Sequence, residues 1–233
     1  MKRGTLVLIV SLFSAWGFPS GLDAADQACE VFPVPCVFEG LPFQVNVVDA
    51  ETRKPLANVH ALAEWRRYGK GDRLDGPLMV QDAISSADGS LKFPAWGPLE
   101  GPTSGLGLGF DPIITLFLTR YKPLIIVNGP RPGMNEKERV RGFYPEPPNR
   151  GTYPLEPFHG DSAQWIEELK KVWIGQATSR TDDMTLAFRE PYLRRLQRVS
   201  DERRNVPSSG RAYEASFFWH VDRELKLFKE GHR

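Results

Sequence analysis

The stretch FQVNVVDAETRKPLANVHALAEW, residues 43–65, decides how this chain folds. Apolar and polar residues alternate from Phe43 to Val47, which is the period of a strand with one buried face. Charged residues and a proline between Asp49 and Pro55 predict a turn. Alternation then resumes from Val59 to Trp65 and predicts a second strand, whose small residues end in a large aromatic ring.

Two further strands follow along the chain. Leu78 to Ser85 is predicted to be one of them, and Leu91 and Phe93 alternate in the next. Between these two, Asp88-Gly89 is a strong turn signal because both residues tolerate positive φ. The charged segment RRYGKGDRLDGP, residues 66–77, predicts a solvated hairpin loop rather than a phosphate site, since no helix follows it.

These residues carry a resemblance to a known family. The pattern is Val47-x-Asp49-x-x-Thr52-x-Lys54-Pro55-Leu56-x-Asn58-Val59, then Ala87-Asp88-Gly89-x-Leu91-x-Phe93. It resembles the carboxypeptidase regulatory-like domain over about residues 42–128. The resemblance implies a transthyretin-like (prealbumin-like) β-sandwich that acts as a structural or binding module without shared catalytic residues. The family has glycine where this chain has Arg120 before Tyr121, so we expect that turn to be built differently.

The N-terminus has the layout of a signal peptide. A basic Met1-Lys2-Arg3 precedes about a dozen apolar residues and a small-residue cleavage region ending at Ala24. The apolar run is too short to span a bilayer core of ~30 Å as a helix. We therefore predict export of residues 25–233 to the periplasm or beyond, with an uncleaved membrane anchor as the alternative.

Cysteine and charge agree with export. Cys29 and Cys36 are the two cysteines of the chain, and in an oxidising compartment we predict that they pair as a local disulfide. A redox pair is disfavoured because the spacing is not Cys-x-x-Cys. Subtracting Lys2, Arg3 and Asp23 from 30 basic and 29 acidic residues leaves 28 of each. A neutral mature chain argues against a nucleic-acid partner.

Two apolar strands complete the predicted β domain, residues 25–128, and a long bridge follows it. Ile113 to Thr119 and Pro123 to Val127 are apolar throughout and predict central strands covered on both faces, with C-terminal helices as the cover. Trp96-Gly97-Pro98 is predicted to close the strand before them. The run GLGLGF that ends at Phe110 precedes a strand, so it predicts a loop and not a dinucleotide site.

Residues 129–160 form a proline-rich bridge containing several aromatic residues. We predict an ordered strap across the domain surface, because prolines reduce the entropy lost on ordering. The alternative is a proline-rich peptide that awaits a partner. Loop ends and this strap are the predicted binding surface, which has four candidate residues: Phe110, Phe143, Tyr144 and Tyr153.

Residues 161–233 predict a helical extension. Asp161 is the predicted cap of the first helix, with Gln164 as its capping-box partner. Apolar residues recur at helical spacing in three segments: Trp165, Ile166, Leu169, Val172 and Trp173; Tyr192, Leu193, Leu196 and Val199, after a helix start or kink at Pro191; and Tyr213, Phe217, Val221, Leu225 and Phe228, widened by Phe218 and Trp219. The arginines between Arg189 and Arg204 predict a solvated face with mixed ion pairs, or a patch for an anionic partner.

No motif in the chain specifies a reaction. His60, His159, His220 and His232 are scattered without metal-like spacing, and no Gly-x-Ser-x-Gly elbow occurs. We predict no catalytic residue, metal or cofactor. The predicted function is a non-enzymatic exported binding or assembly module with a protein or glycan partner at the cell envelope. The alternatives are a metal-dependent, dioxygenase-like enzyme that uses tyrosines and histidines, and a peripheral membrane protein held by its helices.

Overall fold

A computed structural model describes residues 36–69, 73–101, 107–108, 112–127, 151–172, 188–206 and 212–230. The predicted signal segment, Cys29, Phe110, Phe143 and Tyr144 lie outside these residues, so the disulfide of Cys29 with Cys36 stays a prediction. Across the described ranges, no helix has the length and apolar character needed to cross a membrane.

The described part of the chain is mainly β. Its strands are β1 (Cys36–Gly40), β2 (Phe43–Asp49), β3 (His60–Gly69), β4 (Arg73–Ile84), β5 (Ser90–Phe93), β6 (Trp96–Gly101), β7 (Gly107–Leu108), β8 (Ile113–Phe117), β9 (Leu124–Ile126) and β10 (Thr152–Leu155). One sheet has the order β10-β2-β5, and a larger one has the order β4-β3-β8-β9, with β7 also paired to β3. Strands β1 and β6 form a separate antiparallel pair.

Apolar residues from all three sheets meet in one core. Strand β2 contributes Val45 and Val47, which are fully buried as their alternation predicts. Trp65 of β3 packs edge-on to Trp96 of β6, with ring centroids 5.2 Å apart. Burial of a side chain such as Leu91 contributes roughly 1.5–3 kcal/mol, so this core is the main source of stability in the β domain.

The larger sheet buries its second face under three helices. They are α1 (Ser162–Val172), α2 (Arg189–Asp201) and α3 (Ala212–Glu230), with a 3-10 helix at Glu202–Asn205 after α2. On the face of the sheet opposite the first core, the side chains of Leu62, Val80 and Phe117 pack against the apolar faces of the helices. The prediction that C-terminal helices cover this sheet is confirmed, because its strands carry apolar residues on both faces.

The predicted helical stripes are confirmed where they are described. Asp161 and Gln164 form the predicted capping box, each backbone N–H bonding the other side chain at 2.9 Å. Pro191 lies in the first turn of α2, where its missing N–H costs nothing. Trp219 is the exception in α3, since it is 57% exposed and widens no buried face.

Three strand predictions need correction. The segment 66–77 is mostly strand, because β3 runs to Gly69 and β4 starts at Arg73, leaving three residues for the connection. Strand β9 stands at the end of its sheet among the described strands, and Ile125 is 48% exposed, so it is not central. Trp96 begins β6 instead of closing a strand.

The end of the proline-rich bridge is a strand. Strand β10 pairs in parallel with β2, and Pro154 stands opposite Val48. Proline fits there because β10 is paired on one side among the described strands, so no ladder bond needs its N–H. Tyr153 is 4% exposed and belongs to the core. Contrary to the prediction, its ring is therefore not part of a binding surface.

Candidate functional site

The residues that carry the family resemblance build a turn. Asp49 accepts hydrogen bonds at Oδ1 from the backbone N–H groups of Glu51 and Thr52, at 2.9 and 2.7 Å. Its Oδ2 accepts a third from the Tyr121 hydroxyl at 2.8 Å. The bond from Thr52 and that from Tyr121 lower the pKa of Asp49. These contacts tie the β2–β3 turn to the turn after β8, so the motif has a structural role here.

The turn after β8 contains Arg120, and the sequence predicts that it is built differently from the family's glycine turn. Arg120 has φ 66°, the left-handed conformation that glycine favours. The turn therefore keeps a glycine-like backbone with an arginine in it, instead of being built differently. A left-handed backbone costs a non-glycine residue roughly 1–2 kcal/mol.

A buried polar network joins β3 to α2. Arg195 Nε donates to His60 Nδ1 at 2.9 Å, and Arg195 Nη2 donates to the carbonyls of His60 and Thr115. Because a guanidinium only donates, His60 Nδ1 must be the acceptor and its proton lies on Nε2. Nε2 then donates to Asp82 Oδ2 at 3.2 Å. The ring is therefore neutral, and its two nitrogen atoms hold Arg195 and Asp82 in place.

The charges of this network follow from burial and pairing. Burial lowers the pKa of His60 to about 4, which the bond to Asp82 opposes and Arg195 reinforces. Burial alone raises the pKa of Asp82, but bonds from Arg194 and His60 outweigh it and hold that pKa well below its usual range. Burial lowers the pKa of Arg195 to about 9, so the guanidinium stays charged at neutral pH.

A second set of hydrogen bonds, centred on Glu64 of β3, also joins the sheet to α2. Tyr192 donates to Glu64 Oε1 at 3.0 Å, and Arg66 donates to Oε2 at 3.1 Å. Burial and the charge of Glu64 raise the pKa of Tyr192. Each of these side chains bonds another protein group, and the cluster fixes the register of α2 on the sheet. Within the described residues, Arg195 Nη1 is buried without a hydrogen-bond partner.

Sequence reasoning placed Arg195 on a solvated face, and this is wrong because the residue is fully buried. The signal lay in its spacing. Arg195 is three residues after Tyr192 and four before Val199, on the apolar stripe of the helix. Its hydrogen-bond partners, the His60 ring and the carbonyls of His60 and Thr115, are set by the packing of the helix on the strands, which spacing along the sequence does not show.

A groove opens at the junction of the β domain and the helices. Its central cavity has a volume of about 510 Å³ and a mostly polar lining: Arg120, Asp161, Ser162, Glu202, Arg204 and Asn205. A second cavity of about 440 Å³ shares Phe158 and Gly160 with it. A third, of about 270 Å³, shares its wall at Glu202. The three cavities are therefore neighbours, with the first between the other two, and together they are called the groove.

Glu202 is a buried carboxylate in the wall of this groove. It is 2% exposed and accepts hydrogen bonds from Thr119 Oγ1 at 2.5 Å, Trp165 Nε1 at 3.1 Å and Asn205 Nδ2 at 3.1 Å. All three donors are neutral, and they come from three different elements. Glu202 thus joins the turn after β8 to helix α1 and the 3-10 helix, and it shapes the groove floor.

Arg120 is the unengaged cation of the central cavity. Its side chain is exposed, and the described residues provide no hydrogen-bond or ion-pair partner for it. Arg204 on the same cavity bonds Asp201 at 2.7 Å. The acidic residues of the cavity are also engaged, since Asp161 caps α1 and Glu202 holds three donors. The groove therefore presents two guanidinium groups for which the described residues provide no partner, Arg120 at the central cavity and Arg198 at the third.

The tyrosine and histidine side chains that the metal-enzyme alternative needs are not brought together among the described residues. Tyr121 bonds Asp49, Tyr153 is in the core, and His60 is held by Arg195. Among the described residues, no group of three or more His, Cys, Asp or Glu side chains is placed to hold a metal ion.

Comparison with known proteins adds no family. No family model matches the chain, and no curated protein matches it.

Proposed function

We propose that this chain is a non-enzymatic exported binding module of the cell envelope. In this proposal its β domain is a transthyretin-like sandwich of the carboxypeptidase regulatory-like kind. The packing of two sheets onto one core supports it, since that is how a sandwich is built. So does the role of Asp49 and Pro55 in the turn of the resembling motif.

The observation that carries the proposal is Arg120. A left-handed arginine is less stable than glycine at that turn, yet its guanidinium stands at the groove without a partner among the described residues. Strained residues concentrate at functional sites, where the side chain is worth its conformational cost. Binding is favoured over catalysis because the strongly perturbed groups, His60 and Asp82, bond other protein groups and line none of the three cavities.

The test is capture of partners from the native envelope. The predicted mature chain, residues 25–233, is produced in an oxidising compartment, added to its native envelope, crosslinked mildly and purified. We expect a protein or glycan partner in stoichiometric amount with the unmodified chain, and its loss with Arg120→Gly. Equal capture by both proteins would refute the groove as the site. A monomer that carries iron or zinc and no partner would favour the enzyme alternative.

A further inference from the structure

The groove is suited to a ligand with both polar and apolar surface, because its central and third cavities are mainly polar and its second cavity exposes mainly apolar surface. Pockets for compact small molecules are mostly apolar. Here the large aromatic side chains at the cavities are mostly enclosed, since Trp165 and Phe117 are 5% and 2% exposed. Phe158 is half-buried and forms a ring surface beside Trp165, with centroids 4.9 Å apart. The remaining lining is mainly charged or amide side chains of both signs.

The shape of the groove favours a chain over a compact molecule. The central cavity shares Phe158 with one neighbouring cavity and Asn205 with the other. A linear molecule of several repeating units can occupy all three, and its central unit would then lie at Arg120.

The backbone of the groove wall is already paired. The Arg120 carbonyl accepts from Phe158 N–H at 2.7 Å, and Lys122 N–H donates to the Glu156 carbonyl at 2.8 Å. A peptide that added itself as a strand would need such groups free. A glycan needs none of them, because its hydroxyl groups bond side chains of either sign.

Charge selects the kind of glycan. The free guanidinium of Arg120 is planar and suits a carboxylate, which it can bind through two parallel hydrogen bonds. Asp161 Oδ1 accepts from Gln164 N–H and both oxygen atoms of Glu202 accept from protein donors, and within the described residues neither carboxylate pairs with Arg120. We propose that the groove binds an acidic glycan and that Arg120 contacts a carboxylate of its central sugar. This inference rests on the proposed function and names its ligand class.

Calorimetric titration with a short oligogalacturonate tests the inference directly. Its fully methyl-esterified form has the same backbone without charge, and an oligoglutamate supplies carboxylates on a peptide. We expect the acidic oligosaccharide to bind, and the ester and the peptide to bind at least about tenfold more weakly. Arg120→Gly should weaken binding about ten- to a hundredfold, the loss expected for a charge-assisted pair. Arg120→Lys should fall between, because an ammonium lacks the planar fork.

Arg53→Gly is the matched control. Arg53 is also exposed and also has positive φ, at 60°, but it lies in the β2–β3 turn and lines none of the three cavities. The substitution removes the same charge and relieves the same backbone strain at a residue that lines none of the three cavities, so we expect unchanged affinity. Equal weakening by Arg53→Gly and Arg120→Gly would overturn the inference, since it would show attraction by net charge alone.

Other outcomes separate this inference from the proposed function. Equal binding of acid and ester, tighter binding of the peptide, or no binding of any probe would each overturn the inference that the ligand is an acidic glycan. If envelope capture is still lost with Arg120→Gly, the proposed binding module survives any of these results. If a partner is captured independently of Arg120, the groove is refuted as the site; if the unmodified chain captures no partner, the proposed binding module fails as well.

Discussion

Acidification should loosen the helical layer through one residue, His60. The ring is neutral in the folded protein because Arg195 Nε donates to Nδ1, and burial lowers its pKa from 6.5 to about 4. The unfolded chain binds a proton at about pH 6.5, whereas the folded chain does not until about pH 4. Stability from this residue is therefore complete above pH 6.5 and declines as the pH falls towards 4.

The magnitude follows from the difference between those two pKa values. Each pKa unit corresponds to about 1.4 kcal/mol, so the free energy of unfolding should fall by about 3 kcal/mol between pH 7 and pH 4. Asp49 and Asp88 act at lower pH, because their pKa values are lowered from 3.8, that of Asp88 to about 2. Their contribution is present above pH 3.8 and is lost as the pH falls through their folded values.

Urea unfolding at several pH values between 4 and 8 measures this effect. The control is His60→Asn, which keeps an oxygen to accept from Arg195 but has no titrating ring. His159 and His220 are exposed and present in both proteins, so they cancel in the difference. Stability of the unmodified protein should fall about 3 kcal/mol further than that of the variant. Parallel curves would refute the neutral, buried state of His60.

Three substitutions test the remaining contacts. Arg120→Gly should raise the free energy of unfolding by about 1 kcal/mol, because glycine suits φ 66°; a lower value would contradict backbone strain there. Glu202→Ala should lower it by roughly 2–4 kcal/mol and change the fluorescence of Trp165, whose Nε1 loses its acceptor. An unchanged denaturation curve would contradict that role. Leu62→Ala should cost roughly 2–5 kcal/mol, against less than about 0.5 for exposed Ile125→Ala, and equal losses would contradict burial under the helices.

Local patterns were sufficient for much of the fold. Alternation from Phe43 to Val47 predicts β2, and the Asp88-Gly89 turn is present with Gly89 at φ 78°. The Asp161 cap follows from side-chain chemistry within one helical turn. Such features depend on neighbours three or four residues away, which is why the sequence shows them.

Other features depend on which elements meet. Leu124 to Ile126 is apolar enough for a central strand, but its place at the sheet edge is set by the strand order. Tyr153 has the aromatic character of a binding residue, yet parallel pairing with β2 turns it into the core. Glu202 and Arg195 lie among exposed charges in the sequence, and their burial follows from helix packing alone. The candidate groove was missed for the same reason, because its walls come from three separate segments.

The groove as a ligand site is the central claim, and site-specific photo-crosslinking tests it most directly. A photoreactive side chain replaces half-buried Phe158, which borders two of the cavities. A matched protein carries it at Lys92, which is exposed on β5 and lines none of the three cavities. In native envelopes the account predicts a covalent adduct from position 158 and none from position 92. An adduct from position 92 alone, or equal adducts from both, would contradict it.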